Sequence, residues 1–223
     1  ANPAWPQRDK LVSSKGPAGP AVYAALACKG FFPYEDLKLL NTPRTYLPSH
    51  CEKNKTPGVD MSTGSLGQGT SLAVGMALGD RIKGYDSRTF LIVGDGEANE
   101  GQVWEAAMSA AKYHLDNLCI MVDVNGLQID GATADVMPSE PLDKKFEAFN
   151  WNVIHVDGHD YDALVKAFAE AETVKGKPTA LLLKTVKGKG VSFMEGKSAW
   201  HGKAIDDESF AKAMEELGGA VNA

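Results

Sequence analysis

The chain has 223 residues, 43% hydrophobic and 23% charged, with 29 acidic against 23 basic side chains and a net charge of −6. That composition excludes disorder, and the length suits one large domain that needs no disulfide or metal staple to fold. The acidic balance argues against a nucleic-acid backbone as partner, because counterion release needs clustered Lys and Arg; a phosphorylated ligand stays possible.

In chain order, Val22 to Leu40 carries apolar residues at helical spacing, interrupted by Gly30 and Pro33. Leu47 to Thr63 is rich in Pro, Gly, Asn and Ser and reads as a loop. Leu66 to Ile82 is almost wholly small or apolar, so the helix it predicts has no polar face and should be buried, with Ala73, Gly75, Ala77 and Gly79 allowing close backbone approach. Thr89 to Val93 is a short apolar run stopped by Gly94-Asp95-Gly96, which suits a strand buried on both faces. Gln102 to His114 predicts a helix with an apolar stripe at steps of three and four, and Leu118 to Val124 a second buried strand. Asn152 to Val156, Tyr161 to Val174 and Thr179 to Lys184 complete the pattern as strand, helix and strand. Strands alternating with helices imply a parallel sheet flanked by helices, an α/β protein.

Cys28, Cys51 and Cys119 are odd in number with no CxxC pair, as expected of reduced thiols in a cytosolic protein. The opening Ala1-Asn2-Pro3-Ala4-Trp5-Pro6 has no signal- or transit-peptide pattern, and no apolar run reaches the ~18 residues of a membrane span. The expectation is a cytoplasmic protein without a membrane or nucleic-acid partner.

Open parallel sheets bind ligands beyond the carboxyl ends of their strands. Priority therefore goes to Gly94–Glu100 and Asp123–Gly131, both rich in Asp, Asn and Gly. Asp95 stands at one strand end and Asn125 at the next, with room between them for one helix and one returning strand. That spacing predicts a carboxylate and an amide oxygen side by side at one sheet edge. Magnesium prefers hard oxygen ligands in octahedral geometry, only a few of them from protein. Asp95, Asn125 and a backbone carbonyl of the following loop supply that chemistry, while Gly94 and Gly96 would let amides approach a diphosphate at a helix start. Gly-Asp-Gly alone is a common turn; Asn125 at this spacing favours a site.

Gly94-Asp95-Gly96, Glu100-Gly101 and Asn125-Gly126-Leu127-Gln128-Ile129-Asp130-Gly131 resemble the thiamine-diphosphate motif of transketolases. Asp60-Met61-Ser62-Thr63-Gly64-Ser65-Leu66-Gly67-Gln68-Gly69, preceded by Pro57-Gly58-Val59, resembles the transketolase glycine loop, and Trp200-His201-Gly202 a third element of that family. The similarity runs across nearly the whole chain and is closest to the separate N-terminal subunits of split transketolases. It implies one thiamine-diphosphate-binding domain of the diphosphate type over residues 1–223, with thiamine diphosphate and magnesium (calcium or manganese substituting) as cofactors. Asp95, Asn125 and the carbonyl of Leu127 would bind the metal. Gly96 would offer its amide to the diphosphate, beside Gly94 and Glu97. Ile129 would pack under the thiazolium, and Gly64 and Leu66 would border the aminopyrimidine.

The same resemblance implies three catalytic candidates. His50 would face the substrate, His201 would lie near the diphosphate and the reacting carbon, and Glu100 would stand near a subunit interface in the network around the cofactor. By their surroundings alone, His50 in its Pro/Ser loop reads better as a solvated surface histidine, and His201 is equally a loop residue packing on Trp200. His114, His155 and His159 have no metal-like spacing and read as structural. Lys184, Lys187 and Lys189 read as a solvated loop, a substrate-phosphate contact being the weaker alternative. Gly64 to Gly69 is not GxGxxG and follows no strand, which argues against a dinucleotide site.

The sequence departs from the family in two places. The stretch corresponding to Ser14-Lys15-Gly16 is normally followed by a histidine that touches the diphosphate. Here Pro17 offers neither a side-chain donor nor a backbone N–H, a loss of ~1.5–3 kcal/mol. The family's first N-terminal helical segment, with its Gly-His-Pro motif, is also missing from the sequence. In addition, the glutamate that thiamine chemistry needs on the aminopyrimidine comes from a pyrimidine-binding domain. The expected partner is thus a C-terminal transketolase subunit carrying that domain, in a heterotetramer.

The expected activity is transfer of a two-carbon ketol unit between sugar or sugar-phosphate substrates, by the assembled enzyme and not by this chain alone. Two alternatives stand beside it: another thiamine-diphosphate enzyme, of the deoxyxylulose-phosphate synthase or 2-oxo-acid dehydrogenase α type, and a non-catalytic thiamine-fold interaction subunit. The glycine loop, His50 and Trp200-His201-Gly202 favour transketolase over the first. Retained Asp95, Asn125 and Glu100 argue against the second, while Pro17 supports it.

Overall fold

The computed structural model describes residues 2–219. Its elements, in order, are β1 (Lys10–Ser13), α1 (Gly19–Cys28), α2 (Gln68–Ile82), β2 (Thr89–Gly94), α3 (Gly101–Lys112), β3 (Leu118–Val124), β4 (Leu127–Gln128), β5 (Gly131–Ala132), α4 (Thr133–Val136), α5 (Leu142–Ala148), β6 (Asn152–Asp157), α6 (Tyr161–Thr173), β7 (Thr179–Lys184) and α7 (Asp207–Glu216). Short 3-10 turns lie at Gly16–Ala18, Tyr34–Leu39, Glu97–Asn99 and Ser198–Trp200.

Five strands form one parallel sheet in the order β1-β2-β3-β7-β6. The predicted strands are all present, and β1, too short and too lightly apolar to stand out in the sequence, adds an edge. Side chains alternate between two cores. Val12, Leu91, Val93, Ile120, Val122 and Leu182 pack toward α2, α3 and α5. Cys119, Met121, Val156 and Leu181 pack toward Ala167 and Ala171 of α6. Burial on both faces explains why these strands read as unbroken apolar runs.

The region before α2 forms a third, smaller core. Helix α1 ends at Cys28 and is followed after Lys29 by Gly30, whose φ of +75° suits a glycine; its Tyr23 packs with Phe32, Leu47, Cys51 and Val59. Residues 47–63 are irregular, as expected, but far from loose. Arg8 grips both carboxylate oxygens of Asp60, and Asp60 also accepts the Leu11 N–H at 2.8 Å, which pins the loop to β1.

One expectation fails. Helix α2 buries Ala73, Val74 and Ala77 but leaves Ser71, Leu72, Gly75 and Ile82 at the surface, with Ile82 78% exposed. A Cβ added at Gly75 or Gly79 would meet nothing within 4 Å. Gly75 and Gly79 serve no close approach among the described residues, while Ala73 and Ala77 sit in the core; the helix is buried on one side only.

Candidate active site

The sheet order sets the site. The segments leaving β1, β2, β3 and β7 emerge side by side at the carboxyl edge, and with the glycine loop they enclose a cavity of about 370 Å³. All twelve residues singled out from the sequence line it: His50, Gly64, Leu66, Gly94, Asp95, Gly96, Glu97, Glu100, Asn125, Leu127, Ile129 and His201. Lys15, Pro17, Asn99, Gln128, Met137 and Lys187 line it as well.

Asp95 is buried at the end of β2. Its Oδ1 accepts the Gly96 N–H at 2.8 Å and its Oδ2 the Gly126 N–H at 2.6 Å, so the loops after β2 and β3 are tied through one carboxylate. Burial raises its carboxyl above the usual range, partly opposed by those two amides. Each oxygen keeps a lone pair for a cation. Asn125 Oδ1 accepts the Leu127 N–H at 3.0 Å, which shapes the loop that carries the Leu127 carbonyl. The Gly96 N–H, expected on a diphosphate, is engaged by Asp95 in this arrangement.

Beneath Asn125 lies a hub that the sequence did not announce. Asp123 accepts from the Lys15 ammonium, the Thr185 hydroxyl and the Asn125 amide, joining the ends of β1, β3 and β7. Burial opposes its ionisation, but Lys15 and the two neutral donors outweigh it and hold the carboxyl below the usual range. The signal was an Asp near the end of an apolar strand, two residues before the asparagine.

Lys187, read as part of a solvated loop, instead reaches the cavity and is partly buried. Burial and the neighbouring Lys15 push its ammonium below the usual lysine range, partly offset by Asp123 and Asp95. The clue lay in its place just beyond a strand end. His201 is similarly lowered by burial, then by Lys187 and Lys15, and its Nδ1 is buried without a partner among the described residues. Gln128 Oε1 is orphaned in the same way. Such atoms in a cavity wall call for a ligand or ordered water.

His50 is exposed at the cavity mouth, and its ring lies where a side chain on Gly16 or Gly64 would stand; a Cβ at Gly64 would come within 2.6 Å of it. Those two glycines therefore set the position of the ring. Ile129 is 63% exposed at the mouth, and Glu100 stands at the rim with its carboxylate unbonded among the described residues. Glu97 faces inward, its carboxylate held by the protein on both oxygens. Of the remaining histidines, His114 bonds the Gly176 carbonyl through Nδ1, His159 accepts the Val186 N–H, and His155 is exposed.

A parallel sheet with these strand-end loops defines a thiamine-diphosphate-binding domain. Residues 1–222 match the family described as Transketolase, thiamine diphosphate binding domain, and the chain belongs to it. It is 52% identical over 216 residues to the 6-deoxy-6-sulfo-D-fructose transketolase subunit SqwG of Clostridium sp. (strain MSTE9), covering 97% of this chain and 78% of that protein. It is 41% identical over 212 residues to one of the subunits of apulose-4-phosphate transketolase from Actinobacillus succinogenes, covering 95% and 76%. The crystal structure of transketolase from Campylobacter jejuni superposes with a TM-score of 0.93 at 33% identity; it covers all of this chain, which spans only 36% of that one. The chain is thus a thiamine-diphosphate-binding domain of the transketolase family, and two of the relatives that it matches over most of their length are named as transketolase subunits.

Proposed function

We propose that the chain joins a partner subunit carrying a pyrimidine-binding domain and transfers a two-carbon ketol unit between sugar-type substrates. The observation that carries this reading is the shared cavity: the candidate metal, diphosphate and substrate residues, drawn from five separate segments, face one another. Thiamine diphosphate, when bound, supplies the carbanion chemistry of ketol transfer. The chain's own residues bind and orient. Asp95, Asn125 and the Leu127 carbonyl hold magnesium, with calcium or manganese as substitutes. Among the described residues no three His, Cys, Asp or Glu side chains gather as a metal cage. A cation here relies on amide, carbonyl and phosphate oxygens, as magnesium does. Gly94 and Gly96 bring backbone close to the diphosphate, Lys187 and His201 add donors on the opposite wall, and Ile129, Leu66 and Gly64 bound the ring-binding side. His50 at the mouth contacts the incoming sugar. Glu100, at the rim, belongs to the contact with the partner.

The partner covers the α2–α3 surface. Leu72 and Ile82 of α2, with Met108 and Tyr113 beside them on and after α3, are large apolar side chains at the surface, beside two glycines that leave space for another backbone. A patch of this kind on a globular domain marks an interaction site. We infer a heterotetramer of two such pairs, and one domain over residues 1–223 built on the single large sheet. No described helix is long and apolar enough to cross a membrane, in keeping with a place in the cytoplasm. The donor we propose is a ketose with an anionic terminus, as in the sulfo-sugar and phospho-sugar enzymes to which the chain is similar.

The test is Asp95→Ala in the reconstituted complex. Calorimetric thiamine-diphosphate binding in excess magnesium should be abolished while the far-ultraviolet circular dichroism stays that of the parent. Binding as tight as the parent's would sink the metal assignment. A parent complex that binds no thiamine diphosphate would sink the whole reading and leave an interaction subunit.

A further inference from the structure

Glu97 is 3% exposed and forms no ion pair among the described residues. A buried carboxylate without a counterion is costly unless its oxygens are saturated with donors. Here they are. Oε2 accepts the Gly94 N–H at 3.0 Å, at the end of β2. Oε1 accepts the Gly67 N–H at 2.8 Å, at the N-cap of α2, and also the hydroxyl of Ser14 beyond β1. The Ser14 oxygen in turn accepts the Gly69 N–H at 3.1 Å. β1 and β2 already pair in the sheet and the Ser14 N–H bonds the Ile92 carbonyl; the Glu97 carboxylate adds the link between the end of β2 and the N-cap of α2, with Ser14 as its third arm.

The surroundings leave no slack. A Cβ at Gly69 would come within 2.5 Å of Ser14, and one at Gly67, whose φ is +79°, within 2.9 Å of Glu100. The glycine loop contributes Gly64 and Leu66 to the cavity lining, and the Gly94–Gly96 turn contributes its own stretch of the same lining. The spacing of these two lining segments is thus set through Glu97, which bonds both and sits at the N-terminus of the fifteen-residue helix α2, where the backbone dipole favours a carboxylate.

We propose that Glu97 is a positioning residue: its buried carboxylate clamps the glycine loop to the end of β2 and so fixes the width of the cavity. Both carboxylate oxygens are taken up by donors of the protein, so its part in the lining is to hold the neighbouring segments. The clamp exists independently of any ligand; its consequence for cofactor affinity rests on the function proposed above.

Glu97→Gln is the decisive variant because it keeps volume and removes one acceptor. A glutamine can accept at the Gly94 end or at the Gly67 end, but its NH2 then opposes an N–H donor at the other. With the partner bound, amide hydrogen exchange at Gly67, Gly69 and Gly94 should accelerate by about 10- to 100-fold, with Leu118–Val122 of β3 unchanged. Thiamine-diphosphate affinity by calorimetry should fall ~10-fold, the loss of one bond to a charged group. Glu97→Ala should be worse than Gln on both readouts, and Ser14→Ala, which removes one arm of the clamp, milder. Unchanged exchange at the three glycines would overturn the proposal, and so would acceleration spread equally over β3, because Glu97 would then serve global stability alone. Faster glycine exchange with parental affinity would overturn the link to cavity width. If the parent binds no cofactor, the proposed function falls, while the exchange measurements still decide the clamp.

Discussion

At the carboxyl edge of the sheet, three carboxylates are held by donors inside the protein, whereas on the α2–α3 face large apolar side chains stand partly or largely exposed among the described residues. Asp95, Glu97 and Asp123 each accept two or more hydrogen bonds from separate segments. Their geometry is fixed before any ligand arrives, which is the preorganisation that a cofactor site needs. Leu72, Ile82 and Met108 instead wait for something apolar. The contrast separates two kinds of surface: an edge whose carboxylates are ordered by the protein's own donors, and a helix face whose apolar side chains stay exposed.

The largest effect should come from disrupting the exposed helix face. Ile82→Asp combined with Met108→Asp puts two charges into the proposed contact and should weaken assembly with the partner by roughly 100-fold or more. Both positions are more than half exposed, so the melting temperature of the isolated chain should hardly change. Analytical ultracentrifugation over a dilution series reads the first, thermal denaturation the second. Parental assembly would remove the α2–α3 face from the interface.

Pro17 lies in the cavity wall without a donor. Pro17→His should tighten thiamine-diphosphate binding by roughly ten- to a hundred-fold, the worth of one bond to a charged group, as measured by calorimetry on the complex. No gain on top of tight parental binding would mean that other groups, Lys187 foremost, already do that work.

Two glycines of helix α2 probe the contrast from both sides. Gly69 is jammed against Ser14, so Gly69→Ala should cost about 1–3 kcal/mol through overpacking and lower the melting temperature. Gly75 has an open side, and Gly75→Ala should stabilise the isolated chain by about 0.5–1 kcal/mol yet hinder assembly. If both substitutions shift stability in the same direction, the division between the two regions is wrong.

The smallest effect concerns closure of the edge. Cys28 is exposed, while Cys51 and Cys119 are buried. Burial raises the Cys51 thiol and pushes Cys119 up to about 12, so both stay protonated when an ordinary thiol begins to ionise. A native titration with a disulfide reagent at about pH 8 should count one fast thiol, and three after denaturation. Rapid reaction at Cys51 would reveal that the region bonded to the glycine loop, where the Thr63 N–H donates to the Cys51 carbonyl, opens readily.

The α/β class and four of the five strands of the large sheet were legible in the amino-acid order, as was the pairing of Asp95 with Asn125, while His50, His201 and the glycine loop were singled out through the family resemblance. Strands buried on both faces advertise themselves as apolar runs, and a turn-like Gly-Asp-Gly became informative only through Asn125 at the next strand end. Local pattern also carried Asp95 and Asn125, because one helix and one strand between them leave little freedom in where they meet. The rest emerged only on folding. Strand β1 is four residues long and draws its stability from pairing with β2. Lys187 and the Asp123 hub depend on β7 returning beside β3, a pairing between segments far apart in the chain. The exposed side of α2 was unreadable for a different reason: apolar composition reports that a surface avoids water, not whether the surface that covers it belongs to the same chain.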